Sequence, residues 1–335
     1  MFSRYSILAL VTLVGFVAIS PALGEQEHEA AKRGDIESLR SLIEGGVYVD
    51  SKDDLGRTPL HHAKDRTVAE LLVSLGADVN AEANDKMTPL HYARDASVAE
   101  LLLSHGASVD ARNIISNTPL HDAGRYNAPV AALLIAHGAD VNARGHSEDT
   151  PLHSVRSAAA AEVLIAHGAD IHARNEFGST PLHWVTEAAL VDVLVAHGAE
   201  VNARDNDGQT SLHNTVGSYV DFDKAPVMYR LLAHGANVNA RDNDGRTPLH
   251  QARQREVAEI LIAHGADTNA QDNERSKPWD IAKRRGYEPV LSLLSEQGGH
   301  GRKPVRDIVL PVLASGLATS LLLLVFPWLK KIRKS

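Results

Sequence analysis

The sequence predicts an all-α solenoid of stacked helix pairs joined by hairpin fingers, followed by one helix that spans a membrane. Three observations predict this architecture. The tetrad Thr58-Pro59-Leu60-His61 returns six more times with one substitution, and a phrase containing Gly-Ala follows each copy. Near the C-terminus, 22 consecutive residues carry no charge. Self-similarity at a period of roughly 20 to 50 residues is typical of a repeat array.

Residues 1–24 predict a secretory signal peptide. Arg4 precedes the apolar run 7–19, and the small residues Ala22 and Gly24 come just before a charged segment. This order of a basic start, an apolar stretch and a small-residue cleavage site is typical of exported proteins. We therefore expect export and cleavage after Gly24, with an uncleaved anchor helix as the alternative.

Residues 25–57 lack the tetrad but carry apolar side chains at helical spacing, which predicts an N-terminal capping unit. Residues 58–277 hold seven repeats. In each tetrad, threonine is a good helix N-cap and proline suits the first helical position. The tetrads are separated by 30, 30, 32, 30, 30 and 37 residues and begin at Thr58, Thr88, Thr118, Thr150, Thr180, Thr210 and Thr247.

The second phrase marks the end of each unit. In the first repeat it reads Leu75-Gly76-Ala77-Asp78-Val79-Asn80. A glycine directly after an apolar run favours a helix end in the left-handed conformation, and the residues that follow it begin an extended segment. Each unit is therefore predicted as a helix, a short turn, a second helix, a glycine stop and an extended hairpin.

The tetrad and the Gly-Ala-Asp-Val-Asn phrase resemble the ankyrin-repeat family over roughly residues 26–294. The resemblance implies helix pairs with β-hairpin fingers, tetrad histidines bonded to the backbone of neighbouring units, and binding of partner proteins along a concave groove. The family period is about 33 residues, whereas units such as 63–68 are short between their two helices. We expect shortened helix packing in the middle of the array and full turns in the first and last units.

The sixth repeat is stretched by residues 216–226. Insertions in solenoids map to loops, often near the binding face, although a tolerated bulge is the alternative interpretation. Residues 278–295 predict a C-terminal capping unit whose outer face carries Arg284 and Arg285.

Residues 296–307 predict a linker and residues 308–329 a transmembrane helix of about 33 Å, which is long enough to cross a bilayer. The basic residues of 330–335 predict a cytoplasmic tail, with the repeats in the periplasm or outside the cell. The absence of an Asn-x-Ser/Thr glycosylation site favours a bacterial envelope. The alternative is a cleaved sorting signal that releases a secreted effector toward a host protein, but no cleavage motif is evident.

Composition excludes several classes of function. Without cysteine, the chain has no disulfide, thiolate catalyst or cysteine zinc site. Residues 25–301 carry 26 basic and 41 acidic side chains, a net charge of −15, which makes nucleic acid a poor ligand.

Thirteen of the 18 histidines occupy repeat positions a whole unit apart, too distant to share a metal ion. Of the other five, only His146 and His172 are candidate metal ligands, and neither has a carboxylate at a suitable spacing. We expect neither a metal nor a cofactor. No catalytic motif occurs, so an enzyme with its site at Asp221 or Asp223 in the stretched sixth repeat is the weakest hypothesis.

The sequence therefore favours a monomeric scaffold that binds a protein. Finger tips and the residue after each tetrad vary freely on a constant framework, and several of them are apolar or aromatic. Such side chains anchor interfaces, whereas scattered surface apolarity is the alternative. The predicted contact residues are Leu55, Arg57, Met87, Tyr92, Ile114, Ile115, Phe177 and Trp184.

Overall fold

The computed structural model describes residues 26–218 and 223–297. The predicted signal peptide 1–24, membrane helix 308–329 and tail 330–335 lie outside these residues, as does most of the linker 296–307. Within them the chain forms nine consecutive helix pairs, so the all-helical repeat fold is confirmed.

Each pair consists of an inner and an outer helix, and in the seven repeats the inner helix begins at the tetrad. The inner helices are Gln26–Arg33, Pro59–His62, Pro89–Tyr92, Pro119–Tyr126, Pro151–Ser154, Pro181–Trp184, Ser211–Gly217, Pro248–Gln251 and Pro278–Arg285. The outer helices are Ile36–Glu44, Arg66–Ser74, Ala96–Ser104, Ala128–Ala136, Ala158–Ala166, Ala188–Ala196, Lys224–Ala233, Arg255–Ala263 and Glu288–Glu296. A short 3₁₀ turn, His146–Glu148, lies in one finger.

The predicted shortening is present in five of the seven repeats, where the inner helix has four residues. The third and sixth repeats keep inner helices of eight and seven residues. These are the two repeats followed by the longer steps of 32 and 37 residues. The seven repeats therefore run short, short, full, short, short, full and short, instead of being short throughout the middle of the array.

One leucine from each helix of a repeat fills the core between units. Leu60 and its counterparts on the inner helices, and Leu72 and its counterparts on the outer helices, are almost completely buried. Since the buried leucines of successive units touch, the core continues along the whole stack. Neighbouring units supply the apolar surface that no single unit can bury alone.

The Gly-Ala-Asp-Val-Asn phrase connects one unit to the next. Gly76 ends the outer helix with a φ of 93°, and the Ala77 N–H donates to the Leu72 carbonyl. The Asn80 side chain then donates to the Gly106 carbonyl at 2.9 Å and accepts from the Ser108 N–H at 2.8 Å. The same double contact recurs at Asn142, Asn202 and Asn239.

The fingers are turns and not the predicted β-hairpins, since none of the described residues lies in a strand. In the first finger, the Asp53 N–H donates to the Arg57 carbonyl at 2.9 Å. A single backbone bond then joins it to the next finger, from the Asn84 N–H to the Leu55 carbonyl. The Gly56 N–H also donates to the Asp53 carbonyl at 2.8 Å, so two backbone bonds within the finger and one bond to the next finger fix its place without building a sheet.

The N-terminal unit contains a degenerate tetrad that sequence reasoning missed. The His28 side chain donates through Nε2 to the carbonyl of Arg57, just before the first tetrad. His61 makes the equivalent bond to Met87, just before the second. Glu27 therefore occupies the position of Leu60, and it is fully buried.

Among the residues that the structure describes, no helix is long and apolar enough to cross a membrane.

Candidate functional site

The tetrad histidines form a ladder through the array. In every repeat the threonine N–H donates to histidine Nδ1, at 3.0 Å in the case of Thr58 and His61. Nε2 then donates to a carbonyl of the following finger, as from His121 to Asp149 at 3.1 Å. This confirms the role that the family resemblance implied for the tetrad histidines.

Both ring nitrogens are therefore used by the neutral imidazole, with Nδ1 as acceptor and Nε2 as donor. Burial disfavours the charged form and lowers the pKa of all seven tetrad histidines, to about 4 for His61 and His121. The described part of the chain contains no cluster of three or more acidic or histidine side chains that could hold a metal ion.

The histidines before the glycine stops lie on the outer side of the stack, where several pair with a carboxylate of the preceding unit. His137 lies 3.1 Å from Glu100, and His234 lies 2.8 Å from Asp192. These contacts join neighbouring outer helices, so this second histidine row is also structural.

A groove of about 710 Å³ runs along the inner side of the C-terminal half of the array. Finger residues such as Asp244 and post-tetrad residues such as Trp184 and Gln251 line it together. We call it the C-terminal groove. Its remaining charged and aromatic lining residues are Arg156, Asp242, Arg246, Arg253, Arg284, Arg285 and Tyr287.

Arginine dominates the electrostatics of the C-terminal groove. The Arg156 guanidinium donates to the Trp184 carbonyl at 2.6 Å, and the Arg253 guanidinium lies 6.0 Å from the centre of the Tyr287 ring. Burial lowers the pKa of the lining histidines, such as His213, so they add no charge at neutral pH. Arg246 lies 2.9 Å from Asp244.

Of the predicted contact residues, only Trp184 lines this groove, with 40% of its surface exposed. Leu55, Ile115 and Phe177 occupy the same position in alternate fingers and are exposed. Since packed helices are about 8–10 Å apart, each of these side chains stands roughly 16–20 Å from the next one. They form separate points along the finger row, next to which Ile114 is also exposed.

The other predicted contact residues are partly buried within the fold. Arg57 pairs with Asp53 at 2.8 Å, and the Met87 carbonyl accepts from His61. The Tyr92 ring packs edge-on against His61, with ring centres 5.6 Å apart. Arg57 and Tyr92 therefore contribute to the framework through their side chains, and Met87 does so through its backbone.

The stretched sixth repeat places Asp223 at the start of its outer helix, where the carboxylate caps the Ala225 N–H at 3.1 Å. The buried Lys224 ammonium donates to the carbonyls of Val216 and Ser218, which closes the end of the inner helix. Both side chains stabilise helix ends. Asp221 lies outside the described residues.

A family model for ankyrin repeats matches residues 28–113, 80–145, 154–222, 186–272 and 217–303, which together cover most of the chain. The chain belongs to the ankyrin-repeat family. Ankyrin repeats are protein-binding modules, and nothing in the described structure of this ankyrin-repeat chain points to catalysis.

Curated relatives of this ankyrin-repeat chain match over short stretches. Acyl-CoA-binding domain-containing protein 2 of Arabidopsis thaliana is 44% identical over 54 residues, which is 15% of each chain. Protein phosphatase 1 regulatory subunit 27 of Homo sapiens is 35% identical over 75 residues, or 22% of this chain and 49% of that protein. The match thus spans a small part of the plant protein and about half of the human one.

Sequence reasoning missed the arginines of the C-terminal groove. Arg284 and Arg285 line it, although they were predicted on the outer face of the capping unit. A register signal was present, because four of the seven repeats carry a basic residue at the sixth position after the tetrad threonine: Lys64, Arg94, Arg156 and Arg253.

Proposed function

We propose that this ankyrin-repeat chain is a scaffold that binds a partner protein through the C-terminal groove. The observation that carries the proposal is the placement of Trp184, Arg156 and Tyr287 around one groove, on a framework whose tetrad histidines already use both ring nitrogens. Aromatic and arginine side chains are the residues that most often dominate binding energy. Repeat arrays present such surfaces over a long distance.

The membrane arrangement is part of the same proposal and is supported by the sequence. The leader 1–24 and the basic tail 330–335 independently favour the same topology, with repeats on the non-cytoplasmic side and residues 308–329 as a single anchor. In this arrangement the monomeric scaffold holds its partner near the membrane. Release by cleavage near the linker 296–307 gives the alternative, a secreted effector that binds a host protein.

Photocrosslinking tests the binding surface. A photoreactive phenylalanine analogue replaces Trp184 in one variant and Tyr229 in another. These aromatic side chains have similar exposure, 40% and 45%, but Tyr229 lies on an outer helix away from the groove. We expect a crosslinked protein species from position 184 and none from position 229. Equal crosslinking at both positions, or crosslinking at 229 alone, would refute the proposed surface.

Membrane fractionation with protease accessibility tests the topology, using the full chain tagged at its C-terminus. If the scaffold is anchored, we expect the tag in the membrane fraction. We also expect the protease to digest the repeats only after it is given access to the non-cytoplasmic side of the membrane. Soluble repeats separated from the tag would support the secreted effector instead.

A further inference from the structure

We propose that the partner segment held in the C-terminal groove is an extended acidic peptide, whose carboxylates bind the groove arginines and whose apolar side chain packs on Trp184. This inference rests on the proposed function and specifies the chemistry of its partner.

The first support is a local reversal of charge. The array as a whole is strongly acidic, with 41 acidic and 26 basic residues between 25 and 301. Five arginines nevertheless line the groove, against two aspartates. Asp242 is buried and accepts the Arg246 N–H at 2.8 Å, and Asp244 lies 2.9 Å from the Arg246 guanidinium. Both carboxylates are thus committed to the same finger.

Arg284 and Arg285, which belong to the C-terminal capping unit, are the exposed arginines of the groove. Arg284 lies 3.9 Å from Glu274, at the limit of an ion pair, and both side chains are exposed. Arg285 is exposed and makes no ion pair within residues 26–218 and 223–297. Arginine presents a planar fork of donors that matches a carboxylate with two parallel hydrogen bonds. A carboxylate on an incoming segment therefore gains donors that the fold leaves accessible.

The rim of the groove favours a peptide over a nucleic acid. Three successive finger tips on this side carry Asp207, Asp244 and Glu274. A nucleic acid has a charge at every nucleotide, so it would meet these carboxylates as it entered. A peptide with spaced carboxylates can place them at the arginines and neutral residues at the rim.

The length of the groove sets the length of the segment. Arg156 belongs to the fourth repeat and Arg285 to the C-terminal unit, four units further along the stack. At about 8–10 Å per unit, the distance is roughly 32–40 Å. An extended chain rises about 3.3 Å per residue, so a segment of about ten to twelve residues reaches from Arg156 to Arg285.

The test measures binding of two fluorescent peptides of about twelve residues by fluorescence anisotropy. One peptide alternates glutamate with leucine and neutral residues, and its counterpart carries glutamine in place of glutamate. Each is titrated with the full-length protein at low and high salt. We expect the glutamate peptide to bind at least about tenfold more tightly than the glutamine peptide and to weaken as salt rises.

A matched pair of double variants locates the binding. Arg253→Gln with Arg285→Gln removes two groove charges, and Arg33→Gln with Arg40→Gln removes two exposed charges from the N-terminal unit. We expect about a tenfold loss of affinity from the first pair and less than about twofold from the second. Equal losses from both pairs, or equal binding of the two peptides, would overturn the acidic-peptide proposal.

A single-stranded oligonucleotide of similar length serves as the competing ligand, and tighter binding of it would also overturn the proposal. If neither peptide binds while Trp184 still crosslinks a partner, the acidic chemistry is wrong and the scaffold function stands. If the peptide binds but position 184 crosslinks no protein, the scaffold proposal fails separately.

Discussion

Acidification is expected to destabilise this array through its buried histidine ladder. The perturbation is a fall in pH from about 7.5 to about 5. Unfolded histidine has a pKa of about 6.5, whereas His61 and His121 have pKa values of about 4 in the fold. Between these values the unfolded chain binds more protons than the folded one, so the free energy of unfolding falls as pH falls through this window.

The magnitude follows from the two folded pKa values. At about pH 5, each of these two histidines lowers the free energy of unfolding by about 2 kcal/mol, or about 4 kcal/mol together. Burial raises the pKa of Asp122 to about 6, so protonation of this carboxyl has the opposite effect and raises the free energy of unfolding by about 1 kcal/mol. The net loss is therefore about 3 kcal/mol, and the other tetrad histidines add to it in the same direction.

Urea unfolding followed by circular dichroism, repeated across this pH range on the full-length protein, measures the change. Asp122→Asn is the companion variant, since it removes the opposing carboxyl and should steepen the decline by about 1 kcal/mol. A free energy of unfolding that stays constant or rises between about pH 7 and pH 5 would show that the ladder histidines are not held neutral.

Three substitutions test other parts of the fold by urea unfolding. Leu152→Ala leaves a cavity at a fully buried position between units and should lower the free energy of unfolding by about 2–5 kcal/mol, whereas Leu55→Ala at an exposed position should lower it by less than about 0.5 kcal/mol. Similar losses of stability from the two variants would contradict a continuous core. Glu27→Leu removes a buried carboxylate whose Oε2 has no hydrogen-bond partner in the described structure, and it should raise the free energy of unfolding by about 1–2 kcal/mol. A lower free energy of unfolding would show that the hydrogen bond from Ser51, at 2.6 Å, stabilises the fold by more than the burial of the carboxylate costs. Ser116→Gly relieves a φ of 65° in a finger and should stabilise by about 0.5–1 kcal/mol, whereas no gain would indicate an unstrained finger.

The repeat framework could be predicted from the sequence because its signals are local. Thr58 caps the helix that Pro59 begins, and Gly76 ends the next one with a positive φ, so each boundary is specified by adjacent residues. The N-terminal unit lacks the Thr-Pro-Leu-His tetrad. Its register became evident only from the bond between His28 and the carbonyl of Arg57, which joins residues far apart in the chain.

The candidate site was less predictable, since it depends on which loops face one another. Trp184 could be predicted as a contact residue because it is aromatic. Arg156 and Tyr287 line the same groove but belong to the preceding repeat and to the capping unit, so the sequence alone did not place them beside it. The fingers were predicted as hairpins because Asn, Asp and Gly favour tight turns. Each finger nevertheless forms too few backbone hydrogen bonds to build a strand. Residues that favour a tight turn therefore did not predict whether strands form on either side of it.

The two ends of the inner surface differ in how far the fold uses its own polar groups. In the N-terminal half, Asp53 pairs with both Arg57 and His62, at 2.8 and 3.1 Å, and Tyr92 packs on a ladder histidine. A ligand there must compete with contacts that the fold already makes. In the C-terminal half, Arg156 and Arg246 are also bonded within the fold. Arg285 is exposed, however, and Trp184 is only partly covered, so a ligand adds contacts at these two side chains instead of replacing them. This difference favours the C-terminal groove over the N-terminal half as the proposed binding surface.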